Sequence, residues 1–283
     1  VLERRRLMRA KSPRFGSAAA PALASAALLA ACAGTPAALR PEAARPADLA
    51  GYLDEATLVR LADAVPPPPA PGSAEDQDDK ARSARFAALE DTDRWLLATA
   101  HAELRPPLAL QHFDCALNTR LDPAAVPQLT RLMQRLFNDA DSAAERVKAR
   151  AHRPRPVGDD LQRNACQRLT EAGRRSPSYP SGSSTVGAVY GEAFAAIDPP
   201  HAEAARRMSD ELGRSRLVCG MHYPRDVAAG DALGRAVFRA AVAQPAFQAD
   251  LIAARAELAA VQATGARNPG CLAETRALAT PLP

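Results

Sequence analysis

Residues 178–226 read SYPSGSSTVGAVYGEAFAAIDPPHAEAARRMSDELGRSRLVCGMHYPRD, and the division of this stretch decides the fold. Ser181-Gly182-Ser183 leads into an unbroken run of small and apolar residues, closed by Asp198-Pro199-Pro200. This predicts a helix from about Ser183 to Ile197. A second helix is expected from His201 to Leu217. Pro224, suited to a first helical turn, opens a third to about Gln244, and Pro245 a fourth to Ala263. No strand alternation appears on either side. The composition is rich in Ala, Leu and Arg and only 4% aromatic, which favours helix over strand. The fold class is all-α, a helical bundle.

Upstream, Gly51-Tyr52-Leu53 opens a short helix ending near Ala64, and Pro66 to Pro69 impose an extended turn. Gly72 to Asp79 reads as an acidic loop. Phe86, Leu89, Trp95, Leu96 and Ala100 recur at helical spacing and predict one helix from Lys80 to Leu104, stopped by Pro106-Pro107. Leu108 to Leu117 reads as a buried helix. Asp122-Pro123 is expected to open another as far as Phe137, and Asp141 or Ser142 a further one to His152. Val157 to Pro180 reads as an irregular connection.

The ends of the chain carry other signals. Arg4, Arg5, Arg6, Arg9, Lys11 and Arg14 precede a small-apolar run, Ser17 to Ala31, too short to span a bilayer. Leu29-Ala30-Ala31-Cys32 resembles a bacterial lipobox. The expected organisation is a lipoprotein-type signal peptide over 1–31 with cleavage before Cys32, an Ala/Pro-rich tether over 32–50, a domain over 51–265 and a C-terminal tail over 266–283. An ordinary signal peptide that contains a cysteine is the alternative. The expected location is the periplasm, with a lipid on Cys32 anchoring the chain to the outer membrane.

Residues 1–31 hold six of the 36 Lys+Arg and one of the 32 Asp+Glu, so the remainder sits near −1. Net charge therefore makes no case for nucleic acid as a partner. Cys115, Cys166, Cys219 and Cys271 are an even set, suited to two disulfides in an exported protein. Three pairings are open, and Cys115–Cys166 with Cys219–Cys271 is the one favoured. No Cys/His spacing suggests a metal site.

Several motifs could carry chemistry. Lys148 is one of three lysines in the chain. Arg155 follows it, flanked by Pro154 and Pro156. Alone, these describe a solvated basic helix end. Ser181-Gly182-Ser183 at a helix start can present free N–H groups to an anion, though most such sequences are only caps. His222-x-x-x-Asp226 can place an imidazole and a carboxylate on one helical face. The carboxylate could then accept the Nδ1–H bond and leave Nε2 bare as nucleophile or base. A surface pair is the plain alternative.

Taken together, Lys148-x6-Arg155-Pro156, Pro180-Ser181-Gly182 and Ser215-Arg216-x5-His222-x3-Asp226 resemble the signature of the type 2 phosphatidic acid phosphatase and vanadium haloperoxidase superfamily. Gly51-Tyr52-Leu53, Pro66–Pro69, Arg94-Trp95, Ser178-Tyr179-Pro180 and Leu212-Gly213-Arg214-Ser215-Arg216 to Cys219-Gly220 look like its bacterial class A non-specific acid phosphatases. The resemblance covers about residues 50 to 260. It implies that Lys148, Arg155 and Arg216 hold phosphate oxygens, with hydrogen bonds from Ser181 and Gly182. His222 would attack phosphorus, oriented by Asp226, and water would hydrolyse the phosphohistidine. It implies small phosphorylated substrates and no cofactor or metal, and allows a homo-oligomer.

One position departs from the pattern: Ser183 stands where the family's motif has histidine, the residue that protonates the leaving oxygen. Serine has no useful pKa for that task, and general acid catalysis commonly contributes ~10²–10⁴-fold. The expectation is a metal-independent acid phosphatase impaired at Ser183. The alternatives are a silent oxyanion-binding homologue, or an enzyme in which His152 or another group supplies the proton. A vanadate-dependent haloperoxidase would also rely on the missing histidine and ranks below these. His101 and His112 are expected in core or surface roles.

Overall fold

The computed structural model describes residues 49–283. The expected signal peptide, the lipidation site at Cys32 and most of the tether lie outside them. Among the described residues there are only helices and connections. In order they are α1 (Glu55–Asp63), α2 (Ala74–Arg85), α3 (Asp93–Ala100), α4 (Pro127–Lys148), α5 (Pro156–Asp159), α6 (Glu171–Arg175), α7 (Gly182–Ile197), α8 (Ala202–Val218), α9 (Pro224–Val242), α10 (Pro245–Ala263) and α11 (Cys271–Leu278). The four helices expected from residue 183 onward are all present. Among the described residues no helix is long and apolar enough to cross a membrane.

Helix α7 is the axis of the bundle, packed against α4, α8 and α9. Its side chains from Val186 to Ile197 are buried almost throughout, and Val189, Tyr190, Ala193 and Phe194 are fully enclosed. A helix apolar on every side can only be central. Helix α9 crosses it at backbone contact. A Cβ on Gly230 would fall 2.3 Å from the carbonyl oxygen of Ser181, and one on Gly234 equally close to that of Thr185. Real side chains do not tolerate such distances, so these two glycines set how near α9 lies to the first turn of α7.

Three expectations upstream are corrected. Within 122–152 there is one long helix, Pro127–Lys148, not two. Asp139, which reads as part of a break, accepts the backbone N–H groups of Tyr52 (2.7 Å) and Leu53 (3.3 Å). The start of α4 is capped by Glu257 of α10, which accepts from Gln128 and Leu129, and not by Asp122. The acidic stretch at 72–79 is mostly helix. Ser73 caps α2 by accepting from Asp76 N–H, and the buried face of α2 is polar: Asp76, Asp79 and Ser83. The helix expected from Lys80 to Leu104 is broken by a 3-10 turn at Phe86–Leu89 and restarts at α3 under a Thr92 cap. Leu108–Phe113 is buried but 3-10 in form.

The favoured disulfide pairing is also corrected. The bonds are Cys115–Cys271 and Cys166–Cys219, with Cα atoms 5.4 and 4.7 Å apart. Residues 266–283, expected as a tail, carry α11, which packs on α3 and is bonded to Cys115. The connection between α5 and α6 returns to the end of α8, and so meets Cys219 instead.

Candidate active site

The first turn of α7 leaves backbone N–H groups free at its start. Ser181 is its N-cap, accepting from Ser184 N–H (3.2 Å) and Ser184 Oγ–H (3.0 Å). Gly182 and Ser183 follow as the first helical residues, whose N–H groups have no acceptor within the helix. Lys148, at the end of α4, reaches this turn: its Nζ lies 3.2 Å from where a Gly182 Cβ would stand. It also holds Glu145 Oε1 at 2.6 Å. Ser183 is half-buried. With Lys148, Gly182, Glu103, Arg105 and Asp141 it lines an open hollow of about 350 Å³.

His222 lies in the turn between α8 and α9, almost fully buried. Its Nδ1–H donates to the Ser178 carbonyl at 2.8 Å, and Nε2 accepts from Arg155 Nη1 at 3.1 Å. This network assigns the proton to Nδ1 and the lone pair to Nε2. The Nδ1–H bond anticipated for Asp226 is therefore made by a backbone oxygen. Asp226 Oδ2 stands 3.9 Å from Nδ1. That carboxylate is otherwise engaged: Oδ2 accepts Tyr223 N–H at the start of α9, and Oδ1 accepts from Arg153 at 2.7 Å.

The electrostatics select a neutral imidazole. Burial pushes the His222 pKa well below its ordinary value, and the positive charges of Arg155, Arg216 and Lys148 push the same way. The same residues that resist its protonation are those the motif groups as anion ligands. Arg155 and Arg216 are themselves buried, which lowers each to about 10 and leaves both charged at neutral pH.

Their partners are neutral. Arg155 donates to Ser176 Oγ, the Met221 carbonyl and His222; Arg216 donates to Gln167 Oε1 at 2.7 Å, and its Nε is buried without a partner. Among the described residues neither guanidinium meets a carboxylate at ion-pair distance. Buried cations are normally paired; Arg155 is offset only by the more distant charges of Asp226 and Glu145, and burial and Arg155 both weigh on Arg216.

Other candidates fall elsewhere. His152 is exposed and lines a different hollow, beside Asp76, Lys80 and Asp159. His101 is buried, with Nδ1 2.8 Å from Ser215 Oγ, and His112 Nε2 lies 2.7 Å from the Glu103 carbonyl. Three contributors escaped sequence reasoning: Arg153, the Ser178 carbonyl and Gln167. The alternation Arg153-Pro154-Arg155-Pro156 was a signal for the first. A backbone carbonyl leaves no mark in a sequence. Gln167 is placed by its disulfide-bonded neighbour Cys166.

The bundle thus gathers the charges of Arg155, Arg216 and Lys148 around one neutral imidazole, while the hollow beside Ser183 is lined by Lys148 but not by Arg155, Arg216 or His222. No family model matches the chain. It is 32% identical over 203 residues to an acid phosphatase of Zymomonas mobilis, covering 72% of this chain and 76% of the relative. It is 26% identical to a non-specific acid phosphatase of Providencia stuartii (74% and 84% covered) and 27% identical to one of Salmonella typhimurium (69% and 78%). The chain belongs to the bacterial non-specific acid phosphatases, class A, within the type 2 phosphatidic acid phosphatase superfamily, and is an acid phosphatase by that membership.

Proposed function

We propose that the protein hydrolyses phosphate monoesters through a phosphohistidine on His222, and that Ser183 makes it slow. Lys148, Arg155, Arg216 and the N–H groups of Gly182 and Ser183 would take the phosphoryl oxygens. The Nε2 lone pair of His222 would form the N–P bond as the P–O bond to the leaving group breaks. Asp226 would stabilise positive charge that develops on the ring. Because Ser183 donates poorly, the departing oxygen would take its proton from water, which favours aryl phosphates and other good leaving groups. A second water would then attack phosphorus, releasing inorganic phosphate and a neutral imidazole. Charge stabilisation and positioning supply most of the catalysis in such a site.

The observation that carries this reading is the buried pair Arg155 and Arg216, neither of them at ion-pair distance from a carboxylate among the described residues, beside a neutral imidazole. The test is turnover of para-nitrophenyl phosphate between pH 4 and 8 with EDTA present, for the wild type and His222→Ala. Equal turnover in both would overturn the role of His222. No turnover with inorganic phosphate still bound would point to a silent anion binder.

We also propose export to the periplasm and lipid attachment at Cys32. The leader-like start of the chain and two disulfides in the domain support this. Mass spectrometry of the mature N-terminus tests it, and an unmodified Cys32 would end the lipoprotein reading.

A further inference from the structure

We propose that Arg153 is a positioning residue that braces the nucleophile His222 by holding Asp226 on one side of it and Ser178 on the other. This rests on the reading of His222 and Asp226 given above. Arg153 is 4% exposed. Its guanidinium donates to Asp226 Oδ1 at 2.7 Å, to Asp79 Oδ2 at 2.9 Å and to Asp76 Oδ1 at 2.9 Å. Its backbone carbonyl accepts the Ser178 N–H at 2.8 Å. Ser178 in turn accepts the Nδ1–H of His222. Both groups that face the protonated side of the imidazole are thus fixed by one residue.

The arrangement explains how Asp226 keeps its place without bonding the imidazole. A carboxylate 3.9 Å from Nδ1 is held there only by its other contacts. These are Tyr223 N–H and Arg153, and Arg153 is itself stacked over the Tyr223 ring at 4.2 Å. Helix α2 completes the brace. Asp76 and Asp79 anchor the guanidinium from the far side, with Lys80 3.1 Å from Asp76 and Arg225 3.0 Å from Asp79. Arg153 thus ties Asp226 to the two α2 carboxylates, and of these three carboxylates Asp226 is the one beside the imidazole. Both terminal nitrogens of Arg153 are engaged and only its buried Nε lacks a partner, and such a network loses its geometry when a member is removed. Arg153 touches none of Lys148, Arg155 and Arg216 through any of these bonds, so substrate binding is separable from the brace.

The backbone arm to Ser178 survives substitution, so variants isolate the side-chain arm. The full-length protein is assayed with para-nitrophenyl phosphate, and inorganic phosphate serves as competitive inhibitor. Arg153→Ala should lower kcat at least tenfold while KM and the phosphate inhibition constant stay within about twofold. Arg153→Lys should recover part of kcat. Combining Arg153→Ala with Asp226→Ala should cost little beyond Asp226→Ala alone, because both remove one arm.

If Arg153→Ala does not fold, Asp79→Asn, which weakens the hold on the guanidinium and on Arg225, should show the same fall in kcat at constant KM, while Arg225→Ala, which removes only the Arg225 contact, should not. A folded Arg153→Ala or Asp79→Asn with wild-type kcat overturns the brace, and so do losses that multiply in the double variant. If Asp226→Ala itself leaves kcat unchanged, the assignment of Asp226 falls first and the brace with it. If Asp226→Ala is slow and Arg153→Ala is not, the brace alone falls.

Discussion

Lys148 Nζ lies 3.2 Å from the point that a Cβ on Gly182 would occupy. A methyl group at residue 182 would crowd the ammonium and push it aside by a few tenths of an ångström. Gly182→Ala should therefore displace Lys148 and weaken inorganic phosphate as an inhibitor by about tenfold, equivalent to ~1.4 kcal/mol. Inhibition constants check this, and an unchanged value would remove Lys148 from the anion site.

Ser183→His should raise turnover of alkyl phosphates by about tenfold or more, within the range ascribed to a general acid. Aryl phosphates, whose leaving groups need less protonation, should gain less. The ratio of kcat for the two substrate types is the measurement, and an equal gain on both would argue against proton donation as the missing step.

The imidazole of His222 should remain neutral in acid. An unfolded histidine titrates near 6.5, while burial and three neighbouring cations hold this one well below. Nitrogen NMR of labelled imidazole should show the Nδ1–H tautomer persisting well below pH 6.5, and protonation at or above 6.5 would contradict the site's electrostatics. The sign for stability follows. The unfolded chain takes up this proton first, so the contribution is complete above about 6.5 and is lost as pH falls toward the folded value.

The two disulfides should behave differently on removal. Cys115→Ala with Cys271→Ala frees α11 at the far end of a 156-residue separation, and should lower stability by ~2–4 kcal/mol with little change in KM. Cys166→Ala with Cys219→Ala releases the segment that holds Gln167 against Arg216, and should raise KM as well. Thermal unfolding and steady-state kinetics separate the two outcomes.

The helices around the site were legible from pattern because their signals are local. Pro224 and Pro245 mark starts, and Asp198-Pro199-Pro200 marks a stop. What was not legible depended on distant partners. Glu257 caps α4 from α10, a bond that no window of sequence contains. Helix α2 escaped because its buried face is made of Asp76, Asp79 and Ser83, which look solvent-facing until Arg153 and Arg163 are brought to them. The motif residues stood out through their resemblance to the family's signature, since each motif taken alone reads as an ordinary cap, helix end or surface pair. The geometry of His222 was read less well, because Asp226 is needed at the start of α9 and a carbonyl of Ser178 replaces it at Nδ1.

Gly230 and Gly234 place the main chain of α9 directly on the carbonyl oxygens of Ser181 and Thr185. The separation between the start of α7 and the segment that follows His222 is therefore fixed by two rigid rods in direct touch. No rotamer change can widen or narrow it. Substitutions in the surrounding core can alter how long the protein survives heating while leaving that spacing intact, whereas a single methyl group at residue 230 would drive the two halves of the reaction centre apart.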